Sequence, residues 1–509
     1  MPRLATRPLT LTSSLLLCAC SALPPETYTE QDKTDRIRFD RQLMYDQQEP
    51  VIHPLTFYEA AARALKYNLD YRLKLMESAL AADLRDLSSH EMLPQLVASA
   101  GLAGRSNDSG GTSVGIEDGE ESLRASTSQE RYRDLSGLGL SWSLLDFGVA
   151  YYRNQQKGDQ ILMAEERRRK VAQNVLQDVR SAYWRALGAQ RLLPEVDKLL
   201  ARTRVALDSA RQAETQGLLP RQQALAYQRA LIDSVSLLNQ RRQDLEFARA
   251  ELAALISLPS GSKMVLADDT PEPRLPILAQ SIDNLELMAL ENRPEIMEEW
   301  YRMRANQQDI KIAKAELWPN VSLNWGYNYD SNQYLYNNHW SETGLQVSIN
   351  LLKFLRLPAI QNLEVSQKVT DDARRVALSM AVLTQVRVGV LRYNLAAQEV
   401  AFADESLRVD ESLLRYAQAA RTSDQGSELE VIRTEGRYLL SRYQREAAYS
   451  QAQAAWGRLY NSVGLDVQPE AIAQHDVQTL AKAIEHTIKK QESQALLTTN
   501  GGVPYALPN

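Results

Sequence analysis

The side chains best suited to chemistry are few, and they are poorly arranged for it. The five histidines, His53, His90, His339, His475 and His486, are scattered. None has metal-ligand spacing or an evident nucleophile partner, so no catalytic residue and no metal site are expected. No glycine-rich loop follows a strand-like stretch as phosphate binding requires. The two cysteines, Cys18 and Cys20, lie together near the N-terminus. There Arg3 and Arg7 precede the apolar run Leu15-Leu16-Leu17, a basic n-region before a short h-region. Leu17-Cys18-Ala19-Cys20 resembles the bacterial lipobox, in which the last cysteine is acylated and becomes the mature N-terminus. Residue 21 is Ser rather than Asp, as in lipoproteins sorted to the outer membrane. An ordinary signal peptide with two incidental cysteines is the alternative. With a covalent, palmitate-type lipid on Cys20, the mature chain keeps neither a free thiol nor a disulfide, and no other cofactor is expected.

The elements around these residues are more informative. The chain has 509 residues, a net charge of −6 and a charged fraction of 24%. That is material for two to four ordinary domains, without the basic stripe that nucleic acid requires. No run of about 18 apolar residues suggests a transmembrane helix. Period-two segments of about ten residues, the weaker trace of a membrane strand, are present.

The clearest stretch is Asp134–Gly148. Leu138, Leu140, Trp142 and Leu144 alternate with Gly139, Ser141 and Ser143, giving one apolar and one small polar face. From about Val149 a charged, alanine-rich helical pattern follows. Before it, a helical tract from Thr56 to about Ser89 stops at Leu93-Pro94, and Arg105–Arg133 reads as a solvated loop. The same order returns about 225 residues later, where Leu65 meets Leu290, Leu93-Pro94 meets Trp318-Pro319, and Gly101 meets Gly326. In this second copy Val321, Leu323, Trp325, Tyr327 and Tyr329 alternate with Ser322, Asn324, Gly326, Asn328 and Asp330. Leu345, Val347, Ile349 and Leu351 alternate with Gln346, Ser348 and Asn350.

The spacing therefore predicts strands over about 95–104, 135–145, 319–330 and 342–352. Long helices follow each pair and turn near 215–221 and 423–428. The first long tract, Ala150 to Glu214, spans roughly 100 Å at helical rise, and Pro194 is expected to kink or break it. Ala172, Val175, Val179, Ala182, Ala186 and Ala189, and likewise Leu383, Val386, Val390, Tyr393, Ala397 and Val400, step by three and four, as coiled-coil packing requires. Arg167-Arg168-Arg169-Lys170 and Arg241-Arg242 read as solvated helix faces. Four strands cannot close a barrel, and an open sheet cannot sit in lipid with bare edges. Either the sheet packs on helices, or several chains share one barrel.

Lipobox, doubled half-repeat and the exit Leu145-Asp146-Phe147-Gly148 together resemble the TolC-type outer-membrane factor family, over about Leu55 to Leu465. The resemblance implies a mixed α and β membrane protein with an internal two-fold repeat. Four strands per chain would enter a trimeric twelve-stranded barrel, continued by a long α-helical coiled-coil tunnel. Its expected parts are a lipoprotein signal peptide at 1–19, a linker at 20–54, repeats at 55–265 and 266–474, and a polar tail at 475–509. It implies a homotrimer anchored in bacterial outer-membrane lipid, working with a periplasmic adaptor (membrane fusion) protein and an inner-membrane pump. It implies no enzyme and no nucleic-acid partner.

The resemblance also assigns places. Trp142, Trp325, Tyr327, Tyr329 and Trp340 would form the membrane girdle; Ser141, Ser143, Ser322, Asn324, Gln346 and Ser348 would line the lumen. The loops Arg105–Arg133 and Asp330–Ser341 would be extracellular. Gly217, Leu218, Gly426 and Ser427 would form adaptor-docking tips, with Pro220, Arg221 and Ser423 departing from common family residues. Glu435, Val431 and Asp424 are periplasmic gate candidates, Glu435 forming a carboxylate ring in a trimer; the alternative is a helix carboxylate paired with a nearby arginine. The function implied is the exit duct of a tripartite efflux system. A type I secretion channel and a lipid-anchored periplasmic coiled-coil scaffold are the alternatives.

Overall fold

The computed structural model describes residues 27–45, 48–121, 124–217, 220–259, 261–262, 264–268, 275–423, 425, 427–465, 467 and 476–497. The chain divides into two units, 1–49 and 50–509. In the first unit, α1 (Glu30–Tyr45) occupies part of the segment expected to be an extended linker, and it buries none of its residues. Its start is set by a reciprocal cap: Asp32 N–H donates to the Thr29 hydroxyl and Thr29 N–H to the Asp32 carboxylate.

The second unit begins with α2 (Phe57–Tyr67) and α3 (Leu69–Ser89). Thr56 caps α2 by accepting from Glu59 N–H, and Asn68 caps α3 by accepting from Tyr71 N–H. Then come β1 (Gln95–Gly104), the short pair β2 (Gly110–Gly111) and β3 (Ser126–Thr127), β4 (Tyr132–Ser143), α4 (Leu144–Thr215) and α5 (Arg221–Leu255). The second half runs α6 (Ile282–Asn292), α7 (Pro294–Ala315), β5 (Asn320–Asp330), β6 (His339–Ser348), a 3₁₀ turn (Leu351–Arg356), α8 (Leu357–Thr422) and α9 (Glu428–Val463). The order helix, helix, strand, strand, long helix, return helix occurs twice. A last helix, α10 (Val477–Leu497), ends the described chain.

Several expectations are corrected here. Pro194 does not break α4, which runs through it as one 72-residue helix, about 110 Å long. A proline inside a helix costs about 3 kcal/mol or more. Leu192, Leu193, Val196, Leu199 and Leu200 around it are buried in one cluster with leucines of α5, and this packing holds the helix together. The region beyond residue 475 is not merely a polar tail. Val477, Leu480, Ile484 and Ile488 fall on one face of α10 and bury against α2 and α4. In α8 Val382, not Leu383, is the fully buried residue; Val386, Val390, Tyr393 and Val400 are buried as expected. Residues 351–422 also include a window long and apolar enough, by composition, to cross a membrane, although no run of that kind was expected. Much of its apolar surface is exposed in the single chain, including Val376, Met380, Leu391 and Leu395.

The stripe of α4 is buried throughout, from Ala172 to Ala189. Its alanines permit close approach, as does Gly188, where an added Cβ would lie 3.0 Å from Glu446 of α9. On α5 the buried Leu231, Leu238, Leu245 and Leu252 recur at heptad spacing, a seam of supercoiled helices. The halves are also tied by a clasp: Leu55 pairs in parallel with Leu266, and the Tyr183 hydroxyl donates to the Leu55 carbonyl at 3.1 Å. Burial pushes the Tyr183 hydroxyl pKa well above the usual phenol value.

Candidate functional site: the sheet, its join to the helices, and the helix tips

β1, β4, β5 and β6 form one antiparallel sheet in the order β1-β4-β5-β6. β1 has the expected bounds, whereas β4 starts at Tyr132 and β6 spans His339–Ser348 rather than 342–352. β6 stops early because the Asn350 side chain accepts from Leu352 N–H and starts the 3₁₀ turn. The loop 105–133 is not wholly irregular, since it holds the β2–β3 pair.

Directly paired residues in an antiparallel sheet lie on one face. Leu140 pairs with Trp325, Trp142 with Leu323, and Leu323 with Leu345. Leu138 pairs with Tyr327. These make one continuous apolar face. On the other face Ser141 pairs with Asn324, Ser143 with Ser322, and Ser322 with Gln346. The Ser143 hydroxyl donates to the Asn320 amide oxygen at 2.7 Å. Trp340 must be separated from the other girdle candidates: it pairs with Asn328, which puts it on the polar face. Its expected grouping rested on an aromatic ring close to a strand end, before the expected start of the strand at 342.

At the end away from the long helices, a polar clasp joins the two connecting loops. Arg133 and Asp330 form an ion pair at 2.8 Å. Asn332, 2% exposed, accepts from Glu130 N–H and donates to the Ser128 carbonyl.

The opposite end leads into the helices. The Ser143 hydroxyl caps α4 by accepting from Asp146 N–H, and Phe147 meets Trp142 edge-on at 5.7 Å. Farther along, the basic run 167–170 is not a simple solvated face. Arg167 pairs with Glu298 at 2.8 Å and Lys170 with Glu295 at 3.0 Å, binding α4 to α7. Arg168 donates to Glu165 and to the Tyr71 hydroxyl, and its guanidinium holds the Glu165 carboxyl below the usual range. Arg242 likewise pairs with Asp197 at 2.7 Å, and Arg241 lies over the Tyr443 ring at 4.7 Å.

At the far ends of the long helices lie the turns. Gly217 has φ +69°, a conformation that favours glycine, and closes the end of α4. Ser427 caps α9 by accepting from Glu430 N–H. Leu218, Asp424 and Gly426, like Cys20, lie outside the described residues. Glu435 is not a free carboxylate: Arg202 of α4 bonds it at 2.5 Å and reaches Glu428 at 2.9 Å. Arg421 lies 3.8 Å from Glu428 on the other side. Val431 is 6% exposed and packed inside the single chain. Arg202 has no signature in the sequence, because its partners are more than 220 residues away and no local pattern links them. Among the described residues no group of three or more His, Cys, Asp or Glu is placed to hold a metal ion.

The arrangement is a two-faced strand sheet, open at both edges, that runs into helices several times longer than a domain core. Residues 287–465 match the family model described as outer membrane efflux protein. The match covers part of the second half, and the fold of the whole is shared with solved outer-membrane channels. The same fold occurs in the CmeC outer membrane channel of Campylobacter jejuni, 13% identical, with 94% of this chain and 98% of that one covered and a TM-score of 0.63. The MtrE outer membrane channel of Neisseria gonorrhoeae, in its open state, is 16% identical over 80% of this chain and 88% of that one, with a TM-score of 0.60. The outer membrane protein VceC of Vibrio cholerae is 14% identical over 80% and 96%, with a TM-score of 0.58. No curated protein matches the chain.

Proposed function

We propose that this chain is an outer-membrane factor and serves as the exit duct of a tripartite efflux system. Three copies give a twelve-stranded barrel in the outer membrane and a helical tunnel reaching into the periplasm. The observation that carries this reading is the sheet: one apolar face, one polar face and two unpaired edge strands. A membrane accepts such a sheet only when its edges are closed by other copies. Trp142, Trp325, Tyr327 and Tyr329 then meet lipid, and Ser141, Asn324 and Gln346 line the water-filled lumen. The lipid on Cys20 holds the N-terminus at the same membrane. Gly217 and Leu218, with Gly426 and Ser427, form the tips that an adaptor grips, below which an inner-membrane pump supplies substrate.

The gate belongs at the same tips, with Asp424 on the second turn and Glu435 two helical turns beyond it, while Val431, packed inside the chain, backs this end rather than facing the passage. Arg202, bound to both Glu428 and Glu435, holds α4 to α9 there, and neutralises charge that would otherwise face the passage.

The test is full-length protein extracted from membranes in detergent. Mass photometry should give a trimer, and planar bilayers should show discrete conductance steps. A monomer that stays soluble once its lipid is removed would instead support the periplasmic scaffold. Arg202→Ala and Glu435→Ala should each raise conductance or change cation preference; unchanged values for both would leave the pair a helix-to-helix tie. The adaptor copurified from cells distinguishes efflux from protein secretion.

A further inference from the structure

The long helices enclose a groove that belongs neither to the sheet nor to the tips. Its volume is about 910 Å³, enough for a drug-sized molecule. Ala455 and Ser462 of α9 form its floor, and α4 and α8 form its walls. Three arginines line it, Arg293, Arg392 and Arg458, and among the described residues no carboxylate does. Asn174, Gln451 and Thr384 add neutral polar groups to the same walls.

The arginines differ in their partners. Arg293 is 8% exposed and bonds Glu295 at 2.8 Å, but Lys170 shares that carboxylate at 3.0 Å, so two cations rest on one anion. Arg392 and Arg458 are exposed, and among the described residues neither forms an ion pair. The charge of Asp178, one turn of α4 beyond Asn174, acts on Arg458, yet that carboxylate does not line the groove. Other arginines of the same two helices are paired: Arg387 of α8 with Glu286, and Arg445 of α9 with Asp404 at 3.0 Å.

α9 also fixes the side on which the groove opens. Trp456, Leu459 and Val463 are buried in one cluster with leucine and alanine of α6. Gln451, Ala455, Arg458 and Ser462 follow one another in steps of four and three, centred about 120° round the helix from that packed face. The small helices therefore cover one side of the long-helix layer, and the groove opens on another. A tunnel built from this layer needs an uncovered polar wall, and this side supplies it.

We propose that the groove is a station for small organic anions on the wall of the passage, holding a carboxylate or sulfonate between Arg392 and Arg458. A guanidinium presents its donors in a planar fork that matches such an oxyanion, and rings of basic side chains select anions in pores. The station rests on the duct reading and adds to it a substrate class. With two unpaired guanidiniums per copy, a trimer carries a basic belt at one level of the tunnel.

The test uses the full-length protein in planar bilayers, with a naphthalene disulfonate as the probe. The expected result is a saturable block of the current by the probe. Arg392→Gln combined with Arg458→Gln should weaken that block about ten-fold and move the reversal potential in a salt gradient toward cation preference. Arg392→Lys with Arg458→Lys should return the reversal potential to its original value, and Arg72→Gln, at an exposed site on α3, should change neither reading. No saturable block, or an equal block in the double glutamine variant, overturns the station. Calorimetry of the same probe with the detergent-solubilised protein separates the two readings. Binding that the glutamine variant loses, in a protein that gives no conductance, means that the duct reading alone has failed. Conductance without binding means that the station alone has failed.

Discussion

The two long helices begin alike and end in different surroundings. α4 is packed along most of its length: its alanine stripe lies under α2 and α9, its leucines interlock with α5, and its basic run is tied to α7. α8 has the same geometry and nearly the same length, yet it leaves Val365, Val369, Val376, Met380, Leu391, Leu395 and Phe402 exposed. One helix is the internal spine of the chain, and the other is a spine with one side missing. The lesson is that the chain contains only part of its own packing scheme. In the proposed trimer the open side of α8 is where the next copy belongs.

That contrast is most easily broken by charge. Leu391→Glu combined with Leu395→Glu should abolish most trimer, because burying unpaired charges costs about 3–5 kcal/mol. Val205→Glu, at an exposed site on α4, should leave the oligomer intact on the same native gel. A trimer unaffected by the α8 pair would mean that its apolar side faces something other than a second copy.

The return helices provide a sharper comparison. α9 ends at Gly464, with φ +78°, and an added Cβ would lie 2.7 Å from backbone atoms of Asn292 and Arg293. The matching residue after α5 is Ser257, which adopts φ 58° despite its side chain and donates to the Tyr67 carbonyl at 3.1 Å. Gly464→Ser should therefore lower stability by about 2 kcal/mol or more, whereas Ser257→Gly should change it by less than about 1 kcal/mol. Denaturant midpoints of the two variants decide this; equal losses would mean that the two turns are equivalent.

At the helix starts the difference is smaller. Ser143→Ala removes the cap of a 72-residue helix and should cost about 1 kcal/mol in thermal unfolding. Asn350→Ala, at the cap of a six-residue 3₁₀ turn, should cost less.

The smallest effect is one of pH, and it separates two carboxylates of α4. Hydrogen bonds from Arg168 hold Glu165 below its ordinary 4.5, so its contribution is present above that pH and is lost as pH falls through the lowered value. Burial, followed by the charge of Glu251, pushes Asp178 above its ordinary 3.8. Its contribution is present below 3.8 and is lost as pH rises through the raised value. Arg168→Met should flatten the acid side of the melting curve, and Asp178→Asn should stabilise the protein at neutral pH. Both effects are screened by solvent to less than about 1 kcal/mol.

The parts of this architecture that a reader of the chain alone can find are those with a local period. The alternation in 134–144 and 321–329, and the three-four steps of α4, correspond to the faces observed. What is not legible lacks a local signature or has one that its neighbours mask. Trp340 belongs to the polar face, on the same parity as Gln346 and Ser348, and its aromatic ring alone does not mark that face. The role of Arg202 depends on residues from the other half. α10 carries a usable stripe, but lysines, a histidine and a polar approach disguise it.

The open edges of the sheet have one more consequence. β1 and β6 run in opposite directions, so each copy can join the next head to tail and keep strict antiparallel alternation around a ring. Among the described residues, neither edge strand of a lone copy is completed from its own chain. For the proposed duct, insertion into the bilayer and assembly are then a single event in the life of the protein. In that reading a newly made copy would wait outside the lipid until its companions arrive, and no half-built pore would form.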